Sequence, residues 1–160
     1  MKAKEVRMLR REVGMLFQGS ALFDSMSVME NVTFPLEMFS GCSPAEIKER
    51  AEVCLCRVNI DEKAFDLMPS EISGGMQKGV AIARSIALQP KYLFCDETNS
   101  GLDPKTSLII DQLIYEITHE FDITTIINSH DMNSIMEIGD NIIFIEKGEK
   151  KWQGNKENIF

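Results

Sequence analysis

The sequence predicts an α/β protein with a parallel sheet at its core and a helical segment inserted into it. From residue 91 onward, short apolar runs alternate with helical patterns, as they do in βαβ units. The run at 123–128 is rich in β-branched residues, which is typical of a buried parallel strand. Residues 25–90 show mostly helical periodicity. At 160 residues and 44% hydrophobic composition, we expect one domain with one core.

The first half of the chain predicts one strand followed by helices. An apolar run at 13–17 predicts a buried strand that ends before Gln18. Ser27 and Ser43 are each followed by a glutamate three residues later, a capping-box pattern that marks two helix starts. Pro35 is expected to bend or end the first of these helices, because proline removes a backbone donor.

The second half predicts strands and helices in turn. A helix at about 76–89 is expected between two glycines and Pro90, which stops it. The elements expected after it are a strand at 92–95, a helix capped by Asp103-Pro104, the strand at 123–128, a short helix at 132–138 and a hairpin that turns at Lys147-Gly148.

Composition excludes several classes of function. The net charge is −8 and basic residues form only short clusters, so nucleic acid is not an expected partner. The four cysteines show no CxxC spacing, which argues against a structural zinc site and suits a reducing compartment. No apolar run approaches the ~20 residues of a membrane span, and no signal peptide is expected.

Two adjacent carboxylates follow the strand at 92–95. Asp96 is placed at the carboxyl end of a parallel strand, where ligands bind in open α/β sheets, and suits a magnesium ion. Glu97 is one residue further on and can accept the proton of an attacking water. The pair therefore predicts phosphoryl transfer to water, although two loop acids have an ordinary structural explanation when taken alone.

Glycines and a histidine complete the pattern. Ser73, Gly74 and Gly75 offer a hydroxyl and bare backbone N–H groups at a helix start, which is a natural anion site, although a simple cap and turn is the commoner explanation. His130 follows the next strand and can donate a hydrogen bond to a phosphate oxygen. The order and spacing of these patterns favour a functional interpretation over chance.

The sequence resembles the ATP-binding subunits of ABC transporters over nearly all its length. Six motifs occur in the family's order. Gln18 corresponds to the Q-loop glutamine, residues 72–76 to the signature, residues 92–96 to the Walker B strand, Glu97 to the catalytic glutamate, residues 100–103 to the D-loop and His130 to the switch histidine.

This resemblance implies a partial P-loop NTPase fold, the ABC ATPase fold, without its Walker A strand. It divides the chain into a Q-loop strand of the ATPase core at 1–24, a helical signature subdomain at 25–90, and a Walker B and switch part with a C-terminal hairpin at 91–160. It also implies catalytic roles for Glu97, His130 and Gln18, binding of Mg²⁺ by Asp96 and Gln18, and contact of ATP with Ser73, Gly74, Gly75 and Asp103.

The partners and location also follow from the resemblance. Such a subunit hydrolyses ATP to drive transport, pairs with a second ATPase subunit around two ATP molecules, and docks on a membrane permease. It lies in the cytoplasm, peripherally on the inner face of the cell membrane. The stretches at 16–24, 30–36 and 68–76 look like the Mla/Mkl subfamily. That likeness implies phospholipid or another hydrophobic cargo and an MCE-type lipid-binding partner.

Several departures from the family pattern limit these expectations. No Gly-rich Lys-Ser/Thr motif occurs in the 160 residues, so we expect this chain alone to lack ATP binding and hydrolysis. Thr98 stands where the family usually has proline, and Gly79 where it usually has arginine. Without the Walker A strand, the strand at 123–128 is expected to keep an apolar edge open to self-association. A non-catalytic module that docks on a permease or a partner ATPase is therefore the alternative function.

Overall fold

The computed structural model describes residues 3–158 and has the predicted α/β architecture. The outermost residues of the predicted segments 1–24 and 91–160 lie outside this range. The helices are α1 (Ala3–Glu12), α2 (Val28–Phe39), α3 (Pro44–Arg57), α4 (Gly74–Ile86), α5 (Pro104–Glu120) and α6 (Met132–Ile138). The strands are β1 (Val13–Leu16), β2 (Tyr92–Asp96), β3 (Thr124–Asn128), β4 (Ile142–Glu146) and β5 (Glu149–Gly154).

Strands β1, β2 and β3 form a parallel sheet in that order. The pairing is in register, with Leu16 beside Cys95 and Asp96 beside Asn128. The three strands therefore end together, and the residues that follow them share one edge of the sheet.

The two faces of this sheet differ in burial. Leu16, Leu93 and Cys95 are buried on one face. On the other face Met15, Phe94 and Ile126 lie side by side in register, and they are 47%, 38% and 51% exposed. The expectation of a parallel strand at 123–128 is confirmed, but the expectation that it is buried is wrong, because the face that carries Ile126 is open to solvent. The expected open edge is confirmed for residues 3–158, where β3 has a paired strand on one side only.

Helices α2, α3 and α4 form the core of the helical segment. Their buried residues include Val32 and Leu36 of α2, Leu55 of α3 and Val80 of α4. Both predicted capping boxes are present, at Ser27 and Ser43, so these starts are set locally.

Two predicted helix ends differ from the structure. Of the two alternatives for Pro35, ending the helix is wrong, because α2 continues to Phe39 and the fully buried Leu36 holds its second half in the core, whereas a bend at Pro35 stays a prediction. Helix α4 starts at Gly74 and ends at Ile86 rather than spanning 76–89. Gln89 has a φ of +52° and donates its N–H to the Ile86 carbonyl at 2.8 Å, which closes the helix before Pro90.

The predicted hairpin is present as an antiparallel pair of strands, β4 and β5. Its turn residues Lys147 and Gly148 have φ of +51° and +79°, as a tight two-residue hairpin requires. The hairpin forms a separate two-stranded sheet. Within residues 3–158, no helix combines the length and the apolar character needed to span a bilayer.

Candidate functional site

The carboxyl edge of the sheet collects the polar residues predicted from the sequence. Gln18 lies two residues after β1, Asp96 ends β2, and His130 lies two residues after β3. Because the three strands are parallel and in register, residues far apart in sequence meet at this edge.

Asp96 is held by the neighbouring strand. Its Oδ1 accepts a hydrogen bond from Asn128 Nδ2 at 2.8 Å, between two residues that are register partners. The carboxylate is exposed, so it remains accessible to a ligand. A fixed carboxylate open to solvent is the kind of oxygen ligand that Mg²⁺ prefers.

Glu97 and His130 form an ion pair. Glu97 Oε2 lies 2.7 Å from His130 Nδ1, and the side chains are 21% and 84% exposed. The hydrogen bond and the negative charge of Glu97 raise the pKa of His130, because both favour the imidazolium form. The two adjacent carboxylates thus have different partners, since Asp96 binds Asn128 and Glu97 binds His130.

The backbone of Glu97 is fixed despite Thr98 after it. Glu97 has a φ of +48°, its N–H donates to the Asn128 carbonyl at 2.9 Å, and its own carbonyl accepts from Ser100 N at 3.1 Å. Thr98 itself is buried. These contacts set the direction in which the Glu97 side chain leaves the strand.

Gln18 reaches the segment after β2. Its Nε2 donates to Ser100 Oγ at 3.0 Å, so the predicted Q-loop and D-loop residues are in direct contact. Its backbone carbonyl accepts a hydrogen bond from Lys78 Nζ of α4. Gln18 begins a connection between β1 and α2, here called the Gln18 loop (residues 18–27).

The glycine turn lies at the start of α4. Ser73 caps this helix, and its Oγ accepts from Met76 N at 3.2 Å. Gly74 has open space where a side chain would be, whereas a Cβ on Gly75 would come within 3.1 Å of the Thr106 methyl group. The turn therefore lies beside the start of α5 and leaves its backbone accessible.

Asp103 caps α5. It accepts hydrogen bonds from Lys105 N and Thr106 N, both at 3.1 Å, and from the Thr106 hydroxyl. The hydrogen bonds from Thr106 are the main reason that its pKa is lowered. The structure thus gives Asp103 a capping role, and its contact with ATP stays a prediction.

Sequence reasoning missed a buried cluster beneath the site. Asn99 Nδ2 donates to Asp111 Oδ2 at 2.8 Å and to Ser134 Oγ at 2.7 Å. Burial raises the pKa of Asp111, which lies on the apolar face of α5. The aspartate beside Ile110 was the available signal, because a polar residue within an apolar helix stripe needs a partner.

The sequence also gave no direct sign of Asn128, Lys78 and Arg84 as contacts of the site. Asn128 could have been found from register, since it ends the strand next to Asp96. Lys78 and Arg84 could not, because their acceptors are backbone carbonyls of a distant loop.

The residues at this edge suit a metal ion only when a bound ligand supplies further oxygen atoms. In the described part of the chain, no three His, Cys, Asp or Glu side chains are grouped to hold an ion. Mg²⁺ commonly takes one or two carboxylates and completes its shell with phosphate and water oxygens. Asp96, with Gln18 at the same edge, suits that arrangement.

A protein-family comparison decides the relationship. The family model described as ABC transporter matches residues 1–100, which is more than half of the chain. The chain belongs to the ABC transporter family. Its fold is correspondingly the α/β fold of ABC cassettes, as the structural comparisons show.

Two solved cassettes have the same architecture. The ADP- and Pi-bound dimeric MJ0796 cassette matches with a TM-score of 0.84 and 31% identity, over 98% of this chain and 68% of its own. The cbiO1 protein of Clostridium perfringens, part of the cbiONQ complex, matches with a TM-score of 0.87 and 33% identity, over 98% and 62%.

Curated relatives of this ABC chain are methionine import ATP-binding proteins. The MetN protein of Clostridioides difficile (strain 630) is 43% identical over 157 residues, 98% of this chain and 48% of the relative. The MetN protein of Desulfitobacterium hafniense (strain Y51) is 39% identical over 160 residues, 100% and 46%. The chain thus spans about half the length of these curated relatives. They do not support the narrower Mla/Mkl resemblance, its phospholipid cargo or its MCE-type partner.

Proposed function

We propose that this chain is the Q-loop, signature, Walker B and switch portion of an ATP-hydrolysing subunit that drives import of a small polar solute, with methionine as the first candidate. The observation that carries the proposal is the shared sheet edge, where Asp96, Glu97, His130 and Gln18 lie at or just beyond the ends of three neighbouring strands. The membership of the chain in the ABC transporter family supports the same chemistry.

Each residue has a role that its contacts support. Bound ATP with Mg²⁺ supplies the phosphoryl group that is transferred and the charge that neutralises it. Asp96, oriented by Asn128, would hold Mg²⁺ together with Gln18. Glu97 accepts the proton of the attacking water, and His130 donates a hydrogen bond to a phosphate oxygen. The contact between Glu97 and His130 joins Oε2 to Nδ1, so it leaves Oε1 and Nε2 for these two roles.

A second subunit is part of the proposal. The exposed start of α4, at Ser73 and Gly74, offers backbone N–H groups and the positive end of a helix dipole to a nucleotide held by the partner. The solved MJ0796 cassette, which is dimeric, supports this pairing. We further propose that the pair docks on a permease at the inner face of the membrane.

The cargo is proposed from the relatives alone. Their printed names concern methionine import, whereas nothing in the site described here contacts a transported solute. The alternative is a docking module without catalysis, which is favoured by the absence of a Gly-rich Lys-Ser/Thr motif within the 160 residues.

The test is a joined cassette. The N-terminal part of the C. difficile relative that precedes the matched region is fused to residues 1–160, and ATP hydrolysis is measured with a fluorescent-nucleotide binding assay alongside. We expect hydrolysis, and we expect Glu97→Gln to lower kcat about 100-fold or more with nucleotide binding retained. Glu49→Gln, an exposed glutamate of α3, is the matched control and should stay within about twofold.

The outcomes separate the two functions. A cassette that binds nucleotide but hydrolyses none, or one in which both glutamate variants behave alike, overturns the catalytic proposal in favour of the docking module. For the cargo, labelled methionine uptake is measured in cells that lack their own import ATPase but retain the permease. Hydrolysis without restored uptake would reject methionine while leaving the ATPase proposal intact.

A further inference from the structure

Two cationic side chains of α4 donate hydrogen bonds to the Gln18 loop. Lys78 is 4% exposed, and its Nζ donates to the Gln18 carbonyl. Arg84, two turns further along the helix, donates to the Ser20 carbonyl at 2.9 Å and to the Ala21 carbonyl at 2.8 Å. Three carbonyls of the loop therefore accept hydrogen bonds from side chains of one helix.

These cations lack the usual partner for a buried charge. Neither Lys78 nor Arg84 forms an ion pair with a carboxylate among residues 3–158. Burial lowers the pKa of both, because desolvation disfavours their charged forms. A cation removed from water without a carboxylate partner contributes little to stability. The hydrogen bonds that these two cations donate to the loop therefore say more about their role than their contribution to stability does.

The loop itself needs to be held. Ser20 and Ala21 are consecutive non-glycine residues with φ of +63° and +48°, which L-residues rarely adopt. Arg84 donates to the carbonyls of these two residues, and its guanidinium carbon lies 5.6 Å from the centre of the Phe23 ring. The strained part of the loop is thus the part that the arginine binds.

We propose that Lys78 and Arg84 are positioning residues that fix the Gln18 loop on α4, so that the loop and the glycine turn at the start of the same helix move as one body. Helix α4 is suited to this because Val80, Ala81, Ile82 and Ala83 anchor it in the core. A displacement of its first turn is then transmitted through Lys78 and Arg84 to the backbone that carries Gln18. The placement of Gln18 in catalysis rests on the proposed function, whereas the attachment of the loop does not.

Amide hydrogen exchange on the 160-residue chain tests the attachment. Three amides report on the loop, since Ser20 N donates to the Phe17 carbonyl at 3.0 Å, Phe23 N to Asn31 Oδ1 at 2.8 Å and Met26 N to the Phe23 carbonyl at 3.1 Å. In Lys78→Met and Arg84→Met we expect exchange of peptides from 18–27 to accelerate about tenfold or more, with peptides from the middle of α4 within about twofold.

The controls separate positioning from general destabilisation. Arg57→Met removes a cation that pairs with Glu116 and Glu120 between α3 and α5, away from the loop. It should leave exchange at 18–27 unchanged. Lys78→Arg keeps a donor on a long stem and should restore protection, whereas Arg84→Lys donates to only one carbonyl at a time and should restore it in part.

Two results would overturn the proposal. One is unchanged exchange at 18–27 in both methionine variants. The other is equal acceleration in the loop and in the middle of α4, which would mean that the cations only stabilise the fold. Should the methionine variants not fold, Arg84→Lys decides, because positioning predicts faster exchange at 18–27 in this variant than in wild type, and wild-type exchange there would reject it. None of these readouts depends on ATP hydrolysis, so they can fail or succeed independently of the proposed function.

Discussion

Replacing Asn31 by alanine should lower the free energy of unfolding by about 3 kcal/mol. The Asn31 side chain is fully buried in α2 and binds the Gln18 loop. Its Oδ1 accepts from Phe23 N at 2.8 Å, and its Nδ2 lies 3.2, 3.1 and 3.0 Å from the carbonyls of Phe23, Met26 and Ser27.

The magnitude follows from the number of bonds that the amide can make. Two N–H groups serve three carbonyls, so two donor bonds exist at a time, and Oδ1 accepts one short bond from Phe23 N and a long one from Arg84 Nη1 at 3.4 Å. The two donor bonds and the short acceptor bond contribute about 1 kcal/mol net each, or about 3 kcal/mol together. The alanine variant also leaves backbone groups of the loop without hydrogen-bond partners, which adds to the loss of stability.

Urea unfolding measures this change. With a slope of about 2 kcal/mol per molar urea for a chain of this size, the midpoint should fall by about 1.5 M with the slope unchanged. Asn141→Ala is the matched control, because Asn141 is exposed and accepts only a 3.5 Å contact from Gln153, and it should change stability by less than about 0.5 kcal/mol. A loss below about 1 kcal/mol in Asn31→Ala would refute the reasoning, since water or a rearranged loop would then satisfy the same groups.

Four further outcomes are expected. Gly79→Ala should raise the free energy of unfolding by about 1 kcal/mol, because glycine disfavours a helix interior and the nearest atoms to an added Cβ lie at 3.6 Å; a destabilised variant would show that the space is not available. Glu97→Gln should lower the pKa of His130 towards its ordinary 6.5 in an NMR titration. Because the pKa of His130 is raised in the folded state, the Glu97–His130 pair stabilises the fold fully below pH 6.5, and this stabilisation is lost as the pH rises through the folded pKa. The same His130 pKa in wild type and in Glu97→Gln would contradict the pair. The 160-residue chain should show no measurable ATP affinity by calorimetry, and micromolar binding would contradict this. Sedimentation should show self-association that Ile126→Lys weakens, since the charge is placed on the open sheet face; a concentrated monomer of the wild-type chain would rule this out.

The starts of the helices were predictable because their causes are local. The capping boxes at Ser27 and Ser43, and Asp103 before Pro104, each act within four residues of chain. The parallel strands were predictable from their apolar runs, and the position of Asp96 and Glu97 at a sheet edge followed from strand direction alone. Helix ends were less predictable, since α2 continues past Pro35, where burial of Leu36 holds the helix in the core.

The sequence alone thus determined which residues are predicted to carry the chemistry and the order in which they occur, because motif spacing and helix caps depend on near neighbours. Only the tertiary structure decided what those residues touch. The pairing of Glu97 with His130, of Gln18 with Ser100 and of Arg84 with the loop carbonyls joins residues that are distant along the chain. Such contacts are set by sheet register and helix packing, which no short stretch of sequence encodes by itself.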